Sequence, residues 1–376
     1  MALLDLPTDV LLLVADEIES EHDISSFTKT CRHLNNIRYF NSSALFWGAR
    51  HNRLDTIDRM LHLGADVNST EDDQTVLELS ACEGRTAVVK FVLGRGASDG
   101  FTEGHPRTPL CAAAAEGHDD VVKILLDHDE SKQQQDIPAL LNQLFPTRGL
   151  NTQGKGVRYS IPLFMAIAGS HDATGDILIK NKNIDLNYRD SFQRTPLLWA
   201  LSHGRDRIVS SLLSHGADGN LEDPSTRQSP LLTAVSQGNE RALKLLLRYA
   251  SVDPNWRDGQ QRSPLFEALR PRRNLPLLRP LVGRSDLDVN RRGSEGLTPL
   301  CFAVRSGDIE VVELLLGHPG IDVHGTCAAG RTALSYAANS RRVQLVDLLL
   351  ARGADPSHPD LDGRVAASYA AEADAR

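Results

Sequence analysis

Residues 195–218 read TPLLWALSHGRDRIVSSLLSHGAD. The stretch describes one unit of two short helices, with a Thr-Pro start, a glycine between two apolar segments and a closing Gly-Ala-Asp turn. The Thr hydroxyl can cap a helix by accepting a backbone N–H, Pro suits the first helical turn, and Gly suits the positive φ that ends a helix. The same unit recurs along the chain, so a repeat array is predicted for these 376 residues rather than two or three globular domains.

The repeat is defined by triplets similar to Thr195-Pro196-Leu197, which recur every 32 to 35 residues apart from one interval of 53. The triplets begin at the anchors Ser43, Thr75, Thr108, Ile161, Thr195, Ser229, Ser263, Thr298, Thr332 and Val365. The sixth place of every unit holds a small residue: Gly48, Ser80, Ala113, Ala166, Ala200, Ala234, Ala268, Ala303, Ala337 and Ala370. Small residues in this register let neighbouring helices approach closely, so stacked helix pairs are predicted.

Two segments show the family pattern best, residues 330–334 (Gly-Arg-Thr-Ala-Leu) and 64–68 (Gly-Ala-Asp-Val-Asn). They resemble the ankyrin repeat, whose signature is Gly-x-Thr-Pro-Leu-His-x-Ala with a closing Gly-Ala-Asp-x-Asn. The resemblance implies an all-α ankyrin-repeat solenoid of helix-turn-helix units with hairpin loops. It places an array of about ten units in residues 41–376, and the last unit, from Asp362, retains only a first helix.

The array departs from its own period in two places. The interval from Thr108 to Ile161 holds about twenty extra residues, an insertion at about 129–155. Within it, residues 137–145 carry apolar residues at helical spacing, which predicts a helix that either packs on the solenoid or meets a partner. In the unit that begins at Ser263, Pro276 and Pro280 are predicted to interrupt the second helix.

The charge pattern contains one reversal. The net charge of −8 excludes a general nucleic-acid binder, which would carry a strong basic excess. Nine arginines nevertheless crowd into residues 257–292: Arg257, Arg262, Arg270, Arg272, Arg273, Arg279, Arg284, Arg291 and Arg292. They either attract an acidic partner segment or pair with the neighbouring Asp258, Glu267, Asp286 and Asp288.

Residues 1–40 form a separate module, because they do not follow the repeat. The sequence predicts a helix opened by Pro7 and a shorter helix pair with Ile24 and Phe27 turned inward. Three helices of this length build a poor core on their own, so the module needs a partner or a neighbouring domain.

The module resembles an F-box: Leu-Pro-x-Glu, a hydrophobic helix, Asp-Leu and a Cys-Arg-x-Leu segment. The resemblance implies docking on a Skp-family linker, which recruits a cullin–RING ubiquitin ligase, through Leu6, Pro7, Val10, Leu11, Val14, Ile18, Ile24, Phe27 and Leu34. Asp9, Glu17 and Thr30 depart from the family pattern, and Glu17 would place an acid near a hydrophobic interface. The order of an F-box followed by ankyrin units resembles an arrangement common in filamentous fungi. The alternative is that these helices only cap the solenoid.

No pattern indicates catalysis. The sequence has no GxxxxGK(S/T), GxGxxG or HExxH motif, and its five cysteines include no CxxC pair. We therefore predict a non-enzyme with no catalytic residue, cofactor or metal site. His118 and His171 share one repeat position and are predicted to bond to loop backbone. Without a signal peptide or a membrane-spanning apolar run, the predicted location is the cytoplasm, the nucleus or both.

The expected binding surface follows the hairpin tips and the first helices, which face the groove in ankyrin stacks. The candidate residues are Phe192, Gln193, Trp199, Ser202, His203, Gln228, Trp256, Gln260, Arg262 and Arg270. Trp199 shares the fifth place of its unit with Trp47, where packing is the competing explanation. The predicted function is protein recognition, with two alternatives: substrate receptor of an SCF-type ubiquitin ligase, or an intracellular scaffold or accessory protein.

Overall fold

The computed structural model describes residues 37–98, 108–131, 145–147, 158–270, 275–293 and 295–374. These residues form nineteen short helices and two small antiparallel hairpins. They divide into two compact units, Met1–Ser191 and Phe192–Arg376, called unit 1 and unit 2 below. The predicted helical repeat architecture is confirmed.

Unit 1 contains eight of the described helices and both hairpins. In chain order the elements are α1 Ile37–Arg50, α2 Leu54–His62, β1 Thr70–Glu71, β2 Gln74–Thr75, α3 Val76–Cys82, α4 Thr86–Gly94, α5 Pro109–Glu116, α6 Asp119–Ser131, β3 Phe145–Thr147, β4 Arg158–Ser160, α7 Pro162–Gly169 and α8 Asp172–Ile179. Strand β1 pairs with β2, placing Thr70 opposite Thr75, and β3 pairs with β4, placing Phe145 opposite Ser160.

Unit 2 contains the other eleven described helices. They are α9 Pro196–Ser202, α10 Asp206–Ser214, α11 Pro230–Ser236, α12 Glu240–Leu246, α13 Pro264–Leu269, α14 Leu275–Val282, α15 Pro299–Ser306, α16 Ile309–Leu316, α17 Ala333–Asn339, α18 Val343–Ala351 and α19 Ala366–Asp374. Odd-numbered helices from α9 to α19 are first helices of a repeat, and even-numbered ones from α10 to α18 are second helices.

The first helices begin where the period predicts. A side-chain hydroxyl accepts the backbone N–H three residues later at Thr75, Thr108, Thr195, Ser229, Ser263, Thr298 and Thr332. Ile161 starts α7 without a side-chain cap. The cap expected at Ser43 is wrong, because α1 already begins at Ile37 and runs through Ser43.

The core forms where first helices stack on the first helices of adjacent repeats. Helices α3, α5 and α7 pack in this order in unit 1, and α9, α11, α13, α15, α17 and α19 do so in unit 2. The small sixth-place residues, such as Ser80 and Ala200, are fully buried at these contacts. The third-place leucines, such as Leu197 and Leu231, are buried beside them, each worth about 1.5–3 kcal/mol relative to exposure.

Asparagine side chains tie three successive loops of unit 2 to the loop that follows each of them. Asn220 donates from Nδ2 to the Ser251 carbonyl at 2.6 Å, and its Oδ1 accepts the Asp253 N–H at 2.8 Å. Asn255 and Asn290 make the same pair of bonds to the loops that follow them. This asparagine ladder fixes the spacing of successive hairpins.

Two sequence expectations are corrected by described elements. Phe145, expected at the end of a helix, lies in β3, because its segment pairs with Arg158–Ser160; residues 137–144 lie outside the described residues. Helix α14 is not interrupted by its prolines. Pro276 lies in the first turn, where no N–H bond is needed, and Pro280 removes a single bond from a helix held by four buried side chains.

The expected linker-binding residues lie outside the described residues, since all nine precede Ile37. Helix α1 crosses residue 40, where the sequence places the end of the N-terminal module. None of the helices in the described ranges is long and apolar enough to cross a membrane.

Candidate protein-binding surface

Buried aspartates shape the hairpin tips that precede the first helices. In the tip before α13, Asp258 Oδ1 accepts the N–H of Gln260 at 2.9 Å and of Arg262 at 2.8 Å. Its Oδ2 accepts Arg262 Nε at 2.6 Å, so one carboxylate satisfies three donors. Charge-assisted bonds of this kind hold the turn in one conformation and fix the outward side chains.

Two of the tips carry a glutamine at a left-handed backbone position where three later tips carry a glycine. Gln193 and Gln261 both have a φ of 62°, and Gly296, Gly330 and Gly363 take the same left-handed conformation at the equivalent place. A side chain in this region costs on the order of 1 kcal/mol relative to glycine. Both glutamine side chains are exposed, so these tips present an amide to solvent at the expense of backbone strain.

Four stacked side chains run from one tip along helix α9, and we call them the aromatic column: Phe192, Arg194, Trp199 and His203. The Arg194 guanidinium lies 5.2 Å from the Phe192 ring centroid and 4.8 Å from that of Trp199. The Trp199 and His203 rings stack at 5.0 Å with an interplanar angle of 9°. His203 Nδ1 also donates to the Trp199 carbonyl at 2.8 Å, which fixes the imidazole on the helix.

The aromatic column is open to solvent at its tip. Phe192 is 65% exposed, His203 is exposed and Trp199 is half-buried. Trp and Arg are the residue types that most often dominate binding energy at protein interfaces, and a stacked guanidinium retains little rotamer freedom to lose. Of the residues that the sequence predicts, Phe192, Trp199 and His203 belong to the column, and the Ser202 hydroxyl lies 3.2 Å from His203 Nδ1. Gln193 is exposed at the same tip, next to Phe192 in the chain.

A second cluster, the phenylalanine pair, lies two to three repeats further along. Phe266 and Phe302 meet edge to face at 5.9 Å beside a small cavity of about 40 Å³. Arg305 lies 5.3 Å from the Phe302 centroid and bonds Glu295 at 2.7 Å. The predicted residues Arg262 and Arg270 line the same cavity.

A profile of ankyrin repeats, three copies long, matches residues 45–136, 135–223 and 271–360, well over half of the chain. The chain belongs to the ankyrin repeat family. Comparison with curated protein sequences gives no match.

Two solved ankyrin domains are similar to part of the chain. The ankyrin repeat domain of Bcl-3, a unique member of the IkappaB protein family, is 22% identical to this chain with a TM-score of 0.49, and the similarity covers 57% of this chain and 94% of that one. The human ASB11 ankyrin repeat domain is 23% identical with a TM-score of 0.45, covering 63% and 96%.

The remaining predicted surface residues take mixed roles in the ankyrin array. Gln260 is exposed at the Asp258 tip, and half-buried Gln228 lies 3.4 Å from the hydroxyl of Ser236. Trp256 is half-buried, and its indole N–H has no partner in the described part of the chain.

Several arginines of residues 257–292 are used inside the ankyrin fold. Arg284 donates to the carbonyls of Leu247, Tyr249 and Val252 and pairs with Asp286 at 2.6 Å, which raises the pKa of the guanidinium. Arg262 pairs with Asp258 and Arg270 with Glu267, as one of the two sequence interpretations expects. Arg272 and Arg273 lie outside the described residues.

The tenth place after the anchor joins two of the ankyrin units to the unit before them. His118 Nε2 donates to the Cys82 carbonyl at 2.9 Å, which confirms the predicted backbone role. Arg342 occupies the equivalent place in unit 2 and donates to the carbonyls of Val304 and Arg305. In both cases the side chain covers the left-handed glycine of the preceding repeat, Gly84 or Gly307, where a Cβ would clash.

The possible metal ligands and the cysteines are the remaining reactive groups of the described ankyrin units. No group of three or more His, Cys, Asp or Glu suited to a metal ion occurs in the described ranges. Cys82, Cys111, Cys301 and Cys327 are thiols rather than disulfides. Burial raises the pKa of Cys301 to about 11, so this thiol stays protonated and packs as a small apolar residue.

Proposed function

We propose that the chain is a non-catalytic recognition protein whose aromatic column binds a segment of a protein target. Ankyrin repeats bind protein targets, and the family membership carries that general role. The observation that supports the column as the contact is the exposed stack of Phe192, Arg194, Trp199 and His203. A target segment that places an apolar or aromatic side chain against Phe192 would desolvate the stack and use it as an anchor.

Quantitative affinity purification tests the column. Phe192→Ala removes the exposed ring and should change the unfolding free energy by no more than about 0.5 kcal/mol, because the side chain lies at the surface. We expect proteins captured by the wild type to be depleted with this variant. The matched control is Leu361→Ala, since Leu361 is 78% exposed at a tip of the last repeat. Equal depletion, or none, with both variants would remove the column from the proposal.

We also propose the more specific role of a substrate receptor in a cullin–RING ubiquitin ligase. This role is supported by the F-box resemblance of residues 4–34, in which Leu6, Pro7 and Val10 occupy linker-docking places. The ankyrin units would then hold the target while residues 1–36 hold the Skp-family linker.

Co-precipitation with a Skp-family linker tests the receptor role. Joint alanine substitution of Leu6, Pro7 and Val10 should abolish capture of the linker, and Leu361→Ala should leave it unchanged. Capture that is absent from the wild type, or equal in wild type and triple variant, would rule out linker docking through these residues.

The scaffold alternative has a different signature, and the structure shows where to cut. Because α1 begins at Ile37, the deletion should remove residues 1–36 rather than 1–40, which would cut the helix. A separate module should leave the thermal midpoint of the solenoid unchanged. A capping role should lower that midpoint and expose apolar surface to a hydrophobic dye.

A further inference from the structure

The small cavity beside the phenylalanine pair is lined by helices α13 and α15 and by the tips that precede them. Its volume of about 40 Å³ has room for about three water-sized groups. The rings of Phe266 and Phe302 form its apolar walls, and Gln261, Arg262 and Glu267 supply polar ones. We call it the Glu267 cavity.

The Glu267 cavity is built at the repeat positions that form the aromatic column. Gln261 stands two residues before its anchor with the same left-handed φ of 62° as Gln193. Glu267 and Phe302 hold the fifth place of their units, the place that Trp199 holds in α9. First helices stack on one another from α9 through α11 and α13 to α15. The cavity and the column therefore lie along the same face of unit 2.

The carboxylate of Glu267 lacks a donor in this cavity. Its side chain is only 15% exposed, and its buried Oε2 accepts no hydrogen bond from the described part of the chain. Arg270 Nε lies 3.6 Å away, too far for a hydrogen bond, and the Arg270 side chain is 60% exposed. Such a long, solvent-screened ion pair contributes little. A bound donor would remove the desolvation cost of this oxygen.

The other charged groups of the cavity lining have close partners. Arg262 Nε donates to Asp258 Oδ2 at 2.6 Å, so the charge of this guanidinium is balanced inside its own tip. Glu295 accepts a hydrogen bond from Arg305 at 2.7 Å. Among the described lining residues, Glu267 is therefore the acid whose buried oxygen still calls for a cationic donor.

We propose that the Glu267 cavity binds a lysine side chain of the protein target, whose ammonium group donates to Glu267 Oε2. A charge-assisted bond of this kind is about 2.7–2.9 Å long and about twice as strong as a neutral one. The methylene stem of the lysine packs against the rings of Phe266 and Phe302. The planar guanidinium of arginine is larger than an ammonium group, so a cavity of this volume favours lysine.

This inference rests on the proposed function, because it adds a second contact for the same target. Helices α9 and α13 are two packing steps apart, about 16–20 Å at about 8–10 Å per step. An extended segment spans about 3.3 Å per residue, so the lysine stands about five or six residues from the side chain that contacts Phe192. The expected target motif is an apolar residue and a lysine at this spacing.

Peptide selection tests both contacts at once. The probe is a phage-displayed library of random linear peptides of about twelve residues, long enough to reach both sites, selected on the full chain. We expect enriched peptides to carry lysine at the stated spacing from an aromatic or aliphatic residue. Glu267→Gln keeps the shape of the cavity and removes the charge, so the lysine enrichment should be lost and the apolar residue retained. The matched control, Glu240→Gln, removes the same charge from α12, where Glu240 pairs with exposed Lys244.

Fluorescence anisotropy of one enriched, labelled peptide then measures the contact. Replacing its lysine by methionine should weaken binding to the wild type about tenfold or more, as expected for a lost hydrogen bond to a charged group. Binding to Glu267→Gln should hardly change with the same replacement. The methionine peptide tests the cavity on the wild type without altering the fold, and circular dichroism should show that Glu267→Gln remains folded.

The outcomes separate the cavity from the column. Lysine enrichment that persists on Glu267→Gln, or that is lost equally on Glu240→Gln, would overturn the cavity assignment, and so would equal affinity of the lysine and methionine peptides for the wild type. Apolar enrichment without lysine would overturn the cavity and leave the aromatic column intact. Lysine enrichment that depends on Glu267, without an apolar residue that depends on Phe192, would support the cavity and remove the column. No enriched peptide at all would overturn both.

Discussion

The same repeat positions carry an open surface in one part of unit 2 and a sealed contact in another. Arg194 and Trp199 stand one place before and four places after an anchor, and so do Arg364 and Tyr369. Trp199 is half-buried in the aromatic column, whereas Tyr369 is 2% exposed. An arginine lies over the aromatic ring in both places, so the pair of residue types does not by itself decide the role.

The difference comes from what surrounds the ring. Arg331 of the preceding repeat lies 4.4 Å from the Tyr369 centroid, and Arg364 lies 5.0 Å from it. The Tyr369 hydroxyl donates to the buried carboxylate of Asp360, which also accepts the N–H of Arg364. The Trp199 ring instead lies under the Arg194 guanidinium, which also contacts the exposed ring of Phe192. The hydrogen bond from the Tyr369 hydroxyl to the buried Asp360 therefore makes Tyr369 part of the core, whereas Trp199 at the same repeat position remains part of the surface.

The largest expected effect is the difference in unfolding free energy between alanine variants of these two aromatic residues. Tyr369→Ala should lower the unfolding free energy by about 3 kcal/mol, because it opens a cavity under two arginines and leaves Asp360 short of a donor. Trp199→Ala should lower it by about 1 kcal/mol, since the Trp199 side chain is only partly buried. Urea denaturation of the full chain, followed by circular dichroism, measures both. Equal losses would end the distinction between sealed and open positions.

A smaller loss of stability is expected when only the Tyr369 hydroxyl is removed. Tyr369→Phe keeps the ring and should cost about 1–2 kcal/mol, the penalty for a buried acceptor that loses its donor. The control is Tyr336→Phe, because the Tyr336 hydroxyl donates to the Cys327 sulfur at 3.4 Å, and sulfur is a weak acceptor. We expect the control to cost clearly less in the same urea series. The reverse order would show that the ring alone stabilises the contact.

The smallest expected effect is the loss, at low pH, of the stability that the Asp360 carboxylate contributes. The Tyr369 hydroxyl and nearby backbone N–H groups hold the pKa of Asp360 below its ordinary value. A carboxylate with a lowered folded pKa stabilises the fold above its unfolded pKa, and that contribution is lost as the pH falls through the folded pKa. The stability difference between wild type and Asp360→Asn should therefore be constant from pH 7 to 5 and shrink below about pH 4. A pH-independent stability difference for Asp360→Asn would contradict the assignment.

The sequence predicts the parts of this fold that depend on local rules. The caps at Thr108 and Thr298 and the left-handed glycines at Gly117 and Gly307 follow from residue type and spacing, and the structure confirms them. The cap predicted at Ser43 is wrong because a helix that begins upstream continues through this residue. A cap residue does not stop a helix that has already begun. The helix predicted to end at Phe145 is wrong at that residue, because Phe145 pairs as a strand with a segment more than ten residues away, and this pairing overrides the helical spacing of apolar residues.

The surface was harder to predict because it depends on contacts between repeats. Phe192 and Trp199 could be named from their repeat positions, but Arg194 was missed, although arginines before the anchors at Arg262, Arg331 and Arg364 repeat the signal.

The asparagine ladder has a consequence for how the chain can change length. Asn220, Asn255 and Asn290 are spaced by 35 residues and make identical bonds to the next loop. A deletion of residues 221–255 would place Asn220 where Asn255 stood, with the Asp286 carbonyl as its new acceptor. Loss of a whole repeat therefore removes one rung and leaves the others intact, whereas a deletion of a few residues between two of these loops disrupts the rung that joins them. The ladder makes unit 2 modular: it can lose a repeat by deletion or gain one by duplication.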